Sequence, residues 1–377
     1  MSLKGPLNLG FDAKRAFFNR SGLGNYSRDT IRILSSVFPE NQYFLYSPRK
    51  PKGNLFAQPV NTKLKLPHGF FNTFFSSYWR SSGIIKDLKK DGTQLFHGLS
   101  NEIPLNIQKS GIKTVVTIHD LIFLTHPQLY KLIDRNIYKK KFLYSCKNSN
   151  QIISVSQKTK EDIISYFGIR EEKISVVYQG CSPLFNSEAN ERLKVAIRIK
   201  FGLPSAYILC VGSIEERKNQ LGLVKSMQQG KIDFPLVLVG KSTPYCAEIK
   251  KYIEDEKLKN VFILHNVSSP ELPAIYQMAS AFVYPSLVEG FGIPILEALA
   301  SKIPIITSRG GAMEEAGGRG AIYVDPGDRE ELGQAIRKIL EDSGVREKLI
   351  SEGTKHLAKF TDQAIAENLV KVYKGIL

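Results

Sequence analysis

Short apolar runs alternate with amphipathic stretches of helical length along the whole chain, and halfway the series starts over. The first set of strand-like runs covers residues 7–11, 42–46, 94–97, 113–118, 151–155 and 174–177; the second covers 207–211, 235–239, 261–264, 281–284, 303–307 and 321–324. Runs of that length, spaced by helical patterns, predict parallel strands joined by crossover helices. Between the sets lies 180–204, poor in strand pattern and broken by Pro183, Gly202 and Pro204, with a helix predicted over 191–200. Such punctuation marks a domain edge. The last stretch, 362–376, carries Ile365, Leu369, Val370 and Tyr373 at helical spacing. The pattern therefore predicts an α/β chain of two parallel-sheet domains, 1–187 and 188–361, with a terminal helix over 362–377.

Composition leaves this picture in place. The chain has 377 residues, 42% hydrophobic and 23% charged, as expected of a soluble globular protein with two cores. No apolar run approaches the roughly 18 residues that span a bilayer, and residues 1–10 lack the apolar core of a leader, so a cytoplasmic protein is expected. Cys146, Cys181, Cys210 and Cys246 show neither metal-ligand nor disulfide spacing and read as reduced, buried fillers.

Charge changes the picture. Residues 1–187 carry 27 Lys and Arg against 12 Asp and Glu, the remainder 25 against 24, so the net charge of +16 lies almost wholly in the front half. A basic face attracts nucleic acid, anionic lipid headgroups or a phosphorylated acceptor, or is simply a lysine-rich solvated surface. Phe70, Phe71, Phe74, Phe75, Tyr78 and Trp79 cluster there with Arg80 and Lys86. That mixture reads both as an interfacial membrane segment and as a core helix. No recognition helix, zinc spacing or RNA-binding strand motif supports nucleic acid as a partner.

The densest chemistry lies in Glu289-Gly290-Phe291-Gly292-Ile293-Pro294-Ile295-Leu296-Glu297-Ala298, which sets two carboxylates around a glycine-bracketed turn and a helix start. Pro294 fits a first helical position, where a missing N–H is harmless. Glu289 then falls in the loop and Glu297 faces out from the first turns. The N–H groups of Phe291, Gly292 and Ile293 form the positive end of the helix, suited to an anionic or hydroxylated ligand. A capped helix whose acids merely complement the dipole is the alternative.

This pattern, E-G-F-G-x-P-x-x-E-A, resembles the signature of the family-4 retaining glycosyltransferases. The resemblance implies two Rossmann-like domains facing across a cleft, the GT-B fold, with the terminal helix crossing back to the front domain. It implies an acceptor-binding front domain and a nucleotide-sugar back domain. On that likeness Glu289, Phe291 and Gly292 hold the donor sugar, Ile293 lines the donor pocket and Glu297 holds the ribose diol. The likeness runs from about residue 7 to residue 335, dense in the second half and sparse in the first.

Four further constellations fit the same reading. Gly212-Ser213-Ile214-Glu215-Glu216-Arg217-Lys218 follows a strand end, and Arg217 and Lys218 could neutralise a departing diphosphate. The family often has Arg where Ser213 stands. Gly22 and Gly24 precede a helix and would let backbone approach a phosphate or acceptor, although a plain turn explains them equally. His119 closes the strand 113–118, at the end where ligands of such sheets collect. The resemblance has it reach the transferred sugar, while Asp120 reads as an orienting or capping residue. In the family a Gly-x-Val turn holds the base; here His265 replaces the glycine, and only Val267 is carried over. Ala312-Met313-Glu314-Glu315 stands for Ala-Leu-Pro-Glu and, without the proline, should be a less rigid loop.

The expected activity is transfer of a hexose from a UDP- or GDP-sugar to a saccharide or lipid-linked acceptor. Retention is implied by the family alone, and with no Asp-x-Asp triplet a bridging metal or other cofactor is not expected. A nucleotide-sugar epimerase, a phosphorylase, or a basic nucleic-acid-binding or scaffold protein are the alternatives. Peripheral contact with an anionic membrane fits the basic front half.

Overall fold

The computed structural model describes residues 5–51, 53 and 55–377, with their side chains except those of residues 70 and 71. The start of the stretch 1–10 and the rings of Phe70 and Phe71 thus lie outside the described residues. The chain forms two compact units, Met1–Gly180 with Phe360–Leu377, and Cys181–Lys359.

The first unit is built on β1 (Asn8–Asp12), β2 (Gln42–Tyr46), β3 (Thr62–Lys65), β4 (Leu95–Gly98), β5 (Lys113–Ile118), β6 (Gln151–Ser154) and β7 (Ile174–Val176). They pair in parallel in the order β3-β2-β1-β4-β5-β6-β7. The second unit holds β8 (Ile208–Val211), β9 (Leu236–Val239), β10 (Val261–Leu264), β11 (Ala281–Tyr284), β12 (Ile305–Ser308) and β13 (Ala321–Val324), parallel in the order β10-β9-β8-β11-β12-β13. Every residue of β8, β9, β11 and β12 is buried, which is why these strands read as continuous apolar runs rather than alternating ones. Strand limits differ from the sequence reading by a residue or two, the ordinary fraying of element ends. β3 was not expected: Thr-Lys-Leu-Lys lacks an apolar run because an edge strand is half solvated.

In each sheet the order reverses once, between β1 and β4 and between β8 and β11. At such a reversal the crossovers leave to opposite faces, and a crevice opens outside the carboxyl ends of the two strands.

The units part after Gly180, upstream of the expected break. Phe185, in the short turn Pro183–Asn186, stacks edge-on against Tyr276 at 5.3 Å, and Ala189 N donates to Gln277, tying 181–190 to the second unit. The terminal helix Asp362–Lys374 belongs to the first unit. Its start is fixed by a two-pronged pair from Arg32 to Asp362, at 2.5 and 3.0 Å, and its last turn inserts Tyr373, whose hydroxyl meets His97 Nδ1 at 2.7 Å. His97 Nε2 continues to Thr117 and Thr117 to the Tyr26 hydroxyl, a buried chain of polar groups satisfied without solvent.

The aromatic-basic segment divides in two. Trp79, in a turn of π-helix Trp79–Gly83, is fully buried with its indole N–H on Asp87 at 2.6 Å, and Ile84 and Leu88 follow it into the core. Phe74, Phe75 and Tyr78 remain on the surface, Phe74 at 73% exposure. The four cysteines carry no disulfide; burial pushes the thiols of Cys146 and Cys210 up to about 12.

Candidate active site

In the second unit β8 runs through Gly212 into a single turn, Glu216–Lys218, that brings Arg217 and Lys218 against the loop leaving β11. A Cβ on Gly212 would meet the Lys218 side chain at 3.6 Å, so the lysine lies over this glycine. The loop is stapled to the turn twice, by Leu287 N donating to Arg217 O and by Arg217 Nη1 donating to Val288 O, both at 2.8 Å. Glu289 then closes a buried ring. Its Oε2 lies 2.7 Å from Arg217 Nη1, its Oε1 2.6 Å from Lys218 Nζ and 2.9 Å from the Tyr284 hydroxyl, which also accepts from Lys218. Arg217 reaches Glu215 as well, at 2.8 Å.

Electrostatics keep Glu289 and Arg217 ionised. Burial alone would push the Glu289 carboxyl up, but Lys218 and Arg217 together outweigh it and hold the group at about 2. Burial opposes the Arg217 charge, and Glu289 overrides it and raises the guanidinium above its ordinary range. Lys218 is pulled down by burial, with Glu289 working against the pull. Tyr284 is driven well up by burial and by the carboxylate beside it. The sequence reading gave the two cations to phosphate and the carboxylate to sugar as separate tasks. The structure joins them, because a buried cation must have its charge matched.

Glycine at 292 has φ 116°, a left-handed conformation that side chains resist, and it opens the helix Ile293–Ala300. Ile293 is its first residue and Pro294 its second, one place later than expected. Phe291 is buried as a whole residue, and Gly292 beside it is buried too. Glu297 does not simply face out: it is half-buried and accepts from the Tyr276 hydroxyl at 2.8 Å. Val267 is half-buried in the turn after β10. His265 donates from Nδ1 to Gly240 O at 2.7 Å, and the positive φ of this turn belongs to Asn266, so His265 needs none of glycine's freedom. Ala312–Gly317 is helical, with Gly310 N donating to Glu314, which corrects the loop expected there.

In the first unit Gly22 and Gly24 lie within the opening turns of helix Gly22–Val37, after a separate short helix Lys14–Phe18, and not in a loop leaving the strand directly. A Cβ on Gly24 would stand 1.9 Å from Asn19 O, a carbonyl that also accepts from Arg28 at 2.8 Å, so packing alone demands this glycine. Gly22 faces open space. His119 donates from Nε2 to Leu99 O at 2.9 Å and stacks edge-on against Tyr26 at 4.6 Å. Burial holds its imidazole down at about 4, so near neutral pH the ring is uncharged, with Nδ1 left as a hydrogen-bond acceptor. Asp120 accepts from Ile122 N at 3.0 Å, a bond that orients the chain into the short helix Ile122–Thr125, whose cap position is Leu121.

Tyr284, Tyr276 and Tyr26 were missed. Tyr284 closes the apolar run of β11, and its position at a strand's carboxyl end was the available signal.

Two parallel-sheet units, each with a strand-order reversal, and a basic turn locked to a Glu-bearing helix start define a glycosyltransferase of GT-B class. The family model for glycosyl transferases group 1 matches residues 196–356, and that for glycosyltransferase family 4 matches residues 31–183. The chain belongs to the group 1 glycosyltransferases. It is 29% identical over 264 residues to the O-antigen chain mannosyltransferase RfbU of Salmonella typhimurium, spanning 70% of this chain and 69% of that protein. It is 27% identical over 302 residues to O-antigen chain mannosyltransferase B of Escherichia coli, spanning 78% and 77%. The crystal structure of HepE from Anabaena in complex with UDP and glucose superposes with a TM-score of 0.73 over 97% of this chain and 99% of that one, at 15% identity. Among the described residues no helix is long and apolar enough to cross a membrane.

Proposed function

We infer that the protein moves a hexose, of the mannose class, from a UDP- or GDP-sugar to a saccharide or lipid-linked acceptor in cell-surface polysaccharide assembly, with retention of configuration. The observation that carries the reading is the Glu289 ring, at the carboxyl ends of β8 and β11 and beside a helix start. The names of the two relatives support mannose and O-antigen, and the HepE complex supports a nucleoside diphosphate.

Glu289, together with Glu215 on Arg217, balances the charges of Arg217 and Lys218. An arriving diphosphate supplies the negative charge in its place, taking the guanidinium as a fork and the ammonium as a point charge. Glu289 is thereby released to accept from sugar hydroxyls. In the second unit the Phe291, Gly292 and Ile293 N–H groups hold the sugar's remaining polar atoms, Gly212 lets backbone approach, Val267 flanks the base and Glu297 holds the ribose; in the first unit neutral His119 and the helix start at Gly22 are the groups offered to substrate. As the bond between the anomeric carbon and the phosphate oxygen breaks, its electron pair stays on that oxygen, which takes the acceptor hydroxyl's proton while the acceptor oxygen bonds the anomeric carbon from the same face. Peripheral contact with anionic lipid through Phe74, Phe75, Tyr78 and the basic front half completes the reading.

A thermal-shift screen with UDP-, GDP- and ADP-sugars tests it, followed by determination of the product's anomeric configuration. A protein stabilised by none of these donors is not the enzyme described.

A further inference from the structure

The first unit contains a cavity of about 770 Å³ that shares no lining residue with the candidate site described above. It opens at the reversal between β1 and β4: Asp12 ends β1, Phe96 lies in β4 and Glu102 follows it. Its wall is basic, with Lys14, Arg49, Arg80, Lys140 and Lys141 against the carboxylates Asp12 and Glu102.

Both carboxylates are already committed. Arg80 donates to Asp12 from Nε at 2.9 Å, and also from Nη2, while its Nη1 meets Glu102 at 3.0 Å, which holds the guanidinium rigidly charged at the cavity floor. Lys141 takes the other oxygen of Glu102 at 3.2 Å. No carboxylate among the described residues lies within salt-bridge distance of Lys14, Arg49 or Lys140, so three cations face the cavity without a counter-ion. Arg49 stands over the Phe18 ring at 4.5 Å, which orients it. Lys14, only partly covered, is drawn below its ordinary range by that cover and by Arg80 and Arg15, against the opposing pull of Asp12 and Glu102.

We propose that this cavity binds a phosphate or diphosphate group carried by the acceptor, with Arg80 as the fixed fork and Lys14, Arg49 and Lys140 as the charges that draw it in. Calling the ligand an acceptor rests on the function proposed above; the anion site itself does not. The phosphate comes either from a soluble sugar phosphate or from a lipid, and both present the same oxygens.

Calorimetric titration of the whole protein with inorganic pyrophosphate tests the site, repeated in Arg217→Ala/Lys218→Ala/Glu289→Gln, which strands no buried charge, to subtract anion held in the second unit. Lys14→Gln/Lys140→Gln, two exposed side chains, should weaken pyrophosphate at least about tenfold through lost charge-assisted contacts, while leaving nucleoside diphosphate affinity unchanged. Glu102→Gln, which removes a competing carboxylate, should tighten it. Farnesyl diphosphate binding more tightly than pyrophosphate assigns the phosphate to a lipid, and equal affinity assigns it to a soluble phosphate. Pyrophosphate that binds equally to wild type and to Lys14→Gln/Lys140→Gln, with nucleoside diphosphate still bound, overturns this site alone; failure of every nucleoside diphosphate overturns the glycosyl-transfer reading and leaves this site standing.

Discussion

Glu289 and Lys218 form a buried ion pair, 2.6 Å between Oε1 and Nζ, whose partners come from the ends of two neighbouring strands 71 residues apart in sequence. Removing Glu289 strands the Lys218 charge, whereas Glu289 is stranded only when Lys218 and Arg217 are both removed, and this shapes how the site must be probed.

Arg217→Ala/Lys218→Ala should abolish transfer but will not leave the second unit intact. It leaves the Glu289 carboxylate buried and uncompensated, a loss of about 3–5 kcal/mol for a broken buried pair. Adding Glu289→Gln should restore most of the chemical-denaturation stability without restoring activity. A double variant as stable as wild type would show that the ring is not closed in solution.

Glu289→Gln alone removes the charge that competes with phosphate. Nucleoside diphosphate should bind as tightly as to wild type or more so, while transfer falls by roughly two orders of magnitude for loss of a contact to the reacting sugar. Calorimetry and initial rates separate the two; parallel losses in both would remove Glu289 from the sugar.

Tyr276→Phe takes away the hydroxyl that orients Glu297. The ribose contact should loosen, raising KM for the nucleotide sugar several-fold with kcat nearly unchanged. An altered kcat at constant KM would place Glu297 elsewhere in the reaction.

The two front glycines should behave differently. Gly24→Ala forces a methyl against Asn19 O and should cost the first unit about 1–3 kcal/mol, whereas Gly22→Ala meets nothing within 4 Å and should leave stability near wild type. Transfer lost in Gly22→Ala with stability retained would identify that helix start as ligand-facing.

Acid should loosen the first unit before it protonates any ordinary carboxylate. His97 and His119 are held down by burial at about 3 and about 4, against 6.5 in the unfolded chain. The unfolded state binds more protons throughout that window, so stability drops as pH falls from about 6.5 toward 4. Thermal midpoints recorded across this range should decline with acidification; a flat profile would mean that these rings titrate in the fold as they do in the unfolded chain.

The doubled strand rhythm was legible because parallel strands buried on both faces announce themselves as apolar runs, and the polar edge strand β3 escaped for the same reason. The residues Arg217, Lys218 and Glu289 stood out as candidates through their places after strand ends and through the family resemblance. Their mutual pairing could not, since it depends on β8 and β11 lying side by side, a neighbour relation set by sheet order rather than by local pattern. Likewise Asp12, Arg80 and Glu102 each look ordinary in sequence and become a cluster only where β1 and β4 meet.

The helix Asp362–Lys374 gives the first unit a core residue, Tyr373, from the far end of the chain. During synthesis the second unit can therefore fold on the ribosome while the first still lacks its final piece. Until that helix emerges His97 has no partner from it, so late truncations and bulky C-terminal fusions should damage the amino-terminal half more than the half they adjoin.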